Sequence, residues 1–132
     1  MKQETPKILI VDGHNAIFAI AEIEQLHRKH QEAGRELLVR YLQDLHDRGE
    51  WEVVVVFDGK GPKRTKTQHR SSDLMIIYSR SGETADTVIE QLALKYASEC
   101  DLCVATNDHL ESLMSRHNGA KWMRISELEA IL

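Results

Sequence analysis

Lys7-Ile8-Leu9-Ile10-Val11-Asp12-Gly13-His14-Asn15 decides the fold. Its apolar residues run without alternation, the pattern of a strand buried on both faces, and such strands belong to parallel sheets covered by helices on each side. An acid closes the run and a glycine follows. In an open parallel sheet the carboxyl ends of all strands share one edge, where ligands bind at the point of strand-order reversal. Asp12 is therefore a candidate site residue as well as the end of a strand.

The same pattern recurs along the chain. Val53–Asp58, Leu74–Tyr78 and Leu102–Ala105 are short apolar runs rich in branched residues, and Lys121–Ile125 is a weaker edge strand. Between the first two, Leu37, Leu38, Tyr41, Leu42 and Leu45 recur at helical spacing, and Gly49 is placed to stop that helix. Thr84–Ser98, Asp108–His117 and Ser126–Leu132 read as further helices. Alternating strands and helices imply an α/β three-layer sandwich around a mainly parallel five-stranded sheet, in a single domain over residues 1–132. The Gly59–Asp73 connection carries no helical periodicity and reads as a long loop without regular structure.

Bulk properties narrow the function. The chain has 132 residues, a formal charge of −4 and an ordinary apolar fraction of 42%, which argues against a wholesale polybasic binder or a disordered chain. No apolar run is long enough to span a bilayer, and Met1–Pro6 is too short and polar for a signal peptide. A cytoplasmic location without membrane association is expected. Cys100 and Cys103 form a C-x-x-C, but the pair enters a strand rather than opening a helix, so ordinary buried thiols are expected.

Asp12, Asp86 and Asp108 are the acids expected to converge, from two strand ends and the first turn of a helix capped by Thr84. Carboxylates forced together repel unless a cation or a shared proton compensates, and oxygen-only donors suit a hard divalent ion such as Mg²⁺. Singly, each acid has a plainer explanation in ending a strand or complementing a helix N-terminus. Asn15 either orients a water or phosphate or caps the next short helix, across Gly13, which permits an unusual backbone angle. Thr106 and Asn107 precede Asp108 and are expected to fix site geometry. His14 and His109 adjoin the acids as neighbours rather than ligands, and the H-x-x-H of His27 and His30 lacks a third ligand. Lys60, Lys63, Arg64, Lys66, His69 and Arg70 make the loop basic, with no acid before Asp73, and are expected to contact nucleic-acid phosphates beside the acidic edge.

At Ile8–Asn15, Val55–Asp58, Gln68-His69-Arg70, Gly82–Asp86 and Val104–Asp108 the chain resembles the NYN domains, and more closely the YacP-like subgroup of the PIN-like nuclease superfamily. The segments come in the family's order and cover nearly the whole chain. The resemblance implies strand order 3-2-1-4-5 and a metal-dependent ribonuclease. Asp12, Asp86 and Asp108 would hold Mg²⁺ or Mn²⁺, Asn15 would assist, and Asp58 would support. It implies RNA as substrate and makes the ribosome a further partner to consider. Two features depart from the subgroup: His14 stands where tyrosine is usual, and relatives often continue beyond the position of Leu132 into a basic helical tail. Without that tail, grip on RNA would fall to the Lys60–Arg70 loop or a partner.

Three other readings compete with this one. A non-catalytic RNA-binding module of the same fold would keep the cleft but not turnover. A phosphoacceptor receiver domain needs an adjacent acidic pair after the first strand, where this chain has Asp12-Gly13. A dinucleotide enzyme needs a glycine-rich turn at that point, which is missing.

Overall fold

The computed structural model describes residues 5–132. Six strands form one sheet: β1 (Lys7–Asp12), β2 (Glu52–Phe57), β3 (Thr65–Thr67), β4 (Met75–Tyr78), β5 (Asp101–Ala105) and β6 (Lys121–Met123). Their spatial order is β3-β4-β2-β1-β5-β6, and every pairing is parallel except β3 with β4. Leaving β3 aside, this is the expected order of five parallel strands.

β3 is the correction to the five-stranded expectation. It lies within the connection read as irregular, runs antiparallel to β4 with Thr65 opposite Tyr78, and is wholly exposed. A three-residue edge strand of Thr-Lys-Thr buries nothing, so it leaves no apolar pattern in the sequence. Its branched threonines are the only local hint.

Alternation along β1 explains the two cores. Leu9 and Val11 point to one face, where Val53, Val55, Phe57, Cys103 and Ala105 join them under α1 (Gly13–Ala19), α2 (Ala21–Lys29), α3 (Gln31–Asp47) and α6 (Ile125–Ile131). Ile10 points to the other, with Val56, Ile77, Leu102 and Val104 under α4 (Ala85–Tyr96). α5 (His109–His117) flanks α4 and β6 on that second face. Side chains one residue apart on a strand must take opposite faces, so an unbroken apolar run needs a helix layer on each.

The segment before the α3 stripe holds two further helices that the sequence pattern left unassigned. Single extended residues, Ile20 and His30, separate α1, α2 and α3. Gly49 ends the α3 region with φ of 86°, a left-handed conformation that glycine adopts without a Cβ clash. Gly13 has a different role from the one expected. It is the first residue of α1 and is not among the positive-φ glycines; a Cβ there would sit 2.4 Å from the Phe57 ring. Gly13 is thus needed for close approach, bringing α1 down onto β2 beside Asp12.

Cys103 lies in the first core and its thiol is pushed up to about 11, chiefly by burial. Cys100 precedes β5, and both are free thiols. Among the described residues no helix is long and apolar enough to cross a membrane.

Candidate active site

The order β2-β1-β5 places the strand-order reversal between β1 and β5. The chain works outward from β1 through β2 to β4, then α4 carries it back to the other side of β1. Asp12 ends β1, Thr106-Asn107-Asp108 follow β5, and α4 begins beside them. The carboxyl edge of the sheet therefore collects residues remote in sequence.

Asp12, Asp86 and Glu111 each offer a carboxylate oxygen, and these oxygens lie within 4.8 Å of one another. Asp12 and Glu111 are 4% and 5% exposed, whereas Asp86 opens to solvent. The structure therefore brings together two of the three expected acids, and the third position belongs to Glu111. Asp108 is instead the N-cap of α5: its Oδ1 accepts the Glu111 backbone N–H at 3.0 Å. That bond fixes the turn from which Glu111 projects.

Thr106 explains why Glu111 faces inward. In Asp-x-x-Glu at a helix start, the glutamate ordinarily reaches back to the capping residue's N–H. Here the Thr106 hydroxyl accepts the Asp108 N–H at 3.0 Å, and Glu111 is released toward Asp12. The same hydroxyl lies 3.1 Å from Glu111 Oε2 and 3.4 Å from Asp12 Oδ2, and its single proton goes to the nearer. Glu111 Oε1 is buried and meets no N–H or hydroxyl donor; its nearest polar neighbours are the Asp12 and Asp86 carboxylates, which it can bond only through a shared proton. In sequence, the available signal is Asp108-x-x-Glu111 at a helix start, followed by small serines at 112 and 115 that the structure buries with Glu111.

The other predicted residues hold this centre in shape. Asp12 caps α1 by accepting the Asn15 N–H at 3.2 Å. Asn15 Oδ1 accepts the Asn107 N–H at 2.8 Å, and Asn107 Oδ1 accepts the Ile125 N–H at 2.9 Å, so one chain of bonds ties β1, β5 and α6 together. Asp58 Oδ1 accepts the Ala85 N–H at 2.8 Å, anchoring the start of α4 one residue before Asp86. Thr84 caps the same helix by accepting the Thr87 N–H.

Electrostatics match three crowded acids. Burial, then hydrogen bonding to Asp12 and the charges of Asp12 and Asp86, pushes the Glu111 carboxyl up to about 11. Asp86 is also raised, first by burial and then by the charges of Asp12, Asp108 and Asp58, against a lowering bond to Glu111. A proton on Glu111 relieves the repulsion, and so would a divalent cation. The donor set fits such an ion: three hard oxygens from three elements, one of them buried and reached by no N–H or hydroxyl donor.

The basic residues divide along β3. Lys60, Lys63 and Arg64 lie at the carboxyl edge, because Gly61 O accepts the Ser81 N–H just after β4. β3 then runs the opposite way, and Ser72 O meets the His46 ring at the amino edge. His69 and Arg70 therefore sit at the end of the sheet away from the acids, contrary to the expected placement, with Lys66 midway. Arg64 is engaged by Glu83 through two hydrogen bonds of 2.7 Å. Of the histidines, His14 is exposed at the rim of the site, and His27 bonds Gln31 O.

Comparison with known proteins agrees with this architecture. The model of the YacP-like NYN domain family matches residues 9–132. The chain is 33% identical over 108 residues to the uncharacterized protein YacP of Bacillus subtilis, covering 79% of this chain and 62% of that protein. It thus spans less than two thirds of that relative's length. The crystal structure of Rae1 (YacP) from Bacillus subtilis superposes with a TM-score of 0.76 at 32% identity, covering 95% of this chain and 75% of the other. A point mutant of Rae1 gives 0.78 at 30% identity, with 95% and 76% covered.

Proposed function

The chain belongs to the YacP-like NYN domain family, and from that premise we propose that it is a divalent-metal-dependent endoribonuclease. One observation carries the reading: Asp12, Asp86 and Glu111 converge at the strand-order reversal, with a buried carboxylate oxygen that no N–H or hydroxyl donor reaches. Asp12, Asp86 and Glu111 would hold Mg²⁺ or Mn²⁺, and Asp108, whose charge acts on Asp86, would join them through water. When bound, such an ion supplies Lewis acidity to the phosphodiester and activates water for hydrolysis. Oxygen-only ligands and an open, partly solvated cluster suit these ions better than zinc, which favours nitrogen and sulfur.

The protein's own groups position the reaction. Asn15 orients the Asp12 carboxylate, Thr106 and Asp108 set Glu111, and Asp58 sets the start of α4 and so the reach of Asp86. Lys60 and Lys63 at the same edge would draw the RNA backbone toward the acids, with an affinity that falls as salt rises. A water oxygen bonds to phosphorus as the bond to the 3′ oxygen breaks, leaving 5′-phosphate and 3′-hydroxyl ends. The cytoplasm is the proposed compartment, to which the free thiols are suited.

The direct test is cleavage of single-stranded RNA by wild type and Asp12→Asn, with and without Mn²⁺. Cutting that requires both the metal and Asp12 supports the reading. Equal cutting by both proteins without metal overturns it, and tight binding with no cutting under any divalent ion favours a non-catalytic RNA-binding module.

A further inference from the structure

Phe18 is 52% exposed, an unusual position for a large apolar ring beside a polar site. Two imidazoles brace it: His14 at 4.6 Å between ring centroids and His27 at 5.4 Å, the latter edge-on. His14, Asn15 and Phe18 lie three and four residues apart on α1 and so share one helix face. With Ala19 and Asn107 they line a single open depression. Asn15 is the residue bonded to Asp12, so this depression adjoins the acids.

The amide orientations add a second observation. Asn15 and Asn107 each use the side-chain oxygen to accept a backbone N–H. Those bonds fix the flip of both amides, and neither Nδ2 group meets a protein acceptor among the described residues. The depression thus presents an aromatic face next to two oriented N–H donors. An aromatic face with adjacent donors matches a nucleobase, which stacks through its π surface and accepts hydrogen bonds at its edge.

We propose that Phe18, braced by His14 and His27, is a stacking platform for an unpaired RNA base flanking the phosphate at the acids, with Asn15 and Asn107 donating to that nucleotide. The proposal rests on the ribonuclease reading above. Phe18 stands six residues from Asp12, about 9 Å along the helix axis, a separation one nucleotide covers from phosphate to base. Base-paired RNA cannot use the platform, because its bases are already stacked. The chain therefore prefers single-stranded substrate at this position.

An abasic scan tests it. Short single-stranded RNAs, each lacking one base, are titrated against Asp12→Asn protein carrying Phe18, Phe18→Leu, Phe18→Ala or Phe18→Trp. Phe18→Leu keeps apolar packing against the histidines and removes only the π face. Loss of one particular base should weaken binding to the Phe18 and Phe18→Trp proteins by about 5- to 160-fold, the range for one stacked base. The same loss should have almost no effect on the leucine and alanine variants. If no base behaves this way, or if its loss costs all four proteins equally, the platform is refuted. The ribonuclease reading would then still stand on Asp12-dependent cleavage by wild type. If wild type neither binds nor cuts RNA, both fall.

Discussion

Glu111→Gln separates the two consequences of burying a third acid in this cluster. Glu111 is 5% exposed, and its carboxyl is raised because burial and the neighbouring acids disfavour its charge. A raised carboxyl pKa destabilises the fold as pH climbs above the unfolded value of 4.5. Without metal, wild type should lose stability between pH 4.5 and 7 by at most about 3 kcal/mol, at about 1.4 kcal/mol per pH unit. The glutamine variant should show no such loss. With an unfolding entropy of about 2 cal/mol/K per residue over 132 residues, that is a metal-free Tm up to about 10 °C higher than wild type at pH 7. Metal narrows that gap. Mn²⁺ at about 100 times its Kd stabilises wild type by about 2.7 kcal/mol, again about 10 °C. Losing a direct ligand weakens metal by at least the ~10- to 100-fold seen for outer partners. The variant's shift should then fall to about 5 °C or less at the same Mn²⁺ concentration. Thermal melts at pH 4.5 and 7, with and without Mn²⁺, measure all four quantities. An undiminished metal shift in Glu111→Gln would remove Glu111 from the metal site, and a lower metal-free Tm at pH 7 would refute the account of crowded acids.

Three further outcomes follow from the geometry. Asp58→Ala deletes the acceptor for the Ala85 N–H and should cost about 1–2 kcal/mol in denaturant melts; it should also slow cleavage, since Asp86 loses its anchor, and full activity would argue that α4 is placed without it. Glu83 is held near 2, first by its bond to Arg64, so its contribution is complete above pH 4.5 and lost as pH falls toward 2. Arg64→Met should weaken that acid-limb dependence, leaving the part due to Arg80, with the neutral-pH profile unchanged in shape. Cys103, buried with its thiol near 11, should resist a thiol reagent at pH 8 until the protein is denatured, whereas the partly exposed Cys100 should react first. Rapid modification of both would mean that β5 opens.

Much of the fold was legible because burial on both faces writes itself into composition. Ile8–Val11 and Val53–Phe57 have no polar position to spare, and that condition identifies a helix-covered parallel sheet. Thr84 and Gly49 mark helix ends by local chemistry, and they act there as expected. β3 was invisible for the opposite reason, since an exposed edge strand imposes no apolar pattern. α1 and α2 were obscured because single extended residues, Ile20 and His30, interrupt the helical period. Gly13 was recognisable as special, but its reason, the Phe57 ring, comes from another strand.

By itself the sequence determined which residues end strands and begin helices, and so which acids could reach the carboxyl edge. Asp12 and Asp86 follow from that placement. The choice between Asp108 and Glu111 does not, because both lie within three residues of each other at the same helix start. Only the tertiary structure shows where each one lies: Thr106 accepts the Asp108 N–H, Asp108 caps α5, and the buried Glu111 brings a carboxylate oxygen to Asp12 and Asp86. The same holds for the basic residues. Their charge is local, but the antiparallel course of β3 sends His69 and Arg70 to the far edge and leaves Lys60 and Lys63 beside the acids. Strand propensity and capping act over a few residues, whereas convergence of charges depends on strand order and direction, which the chain settles only by packing.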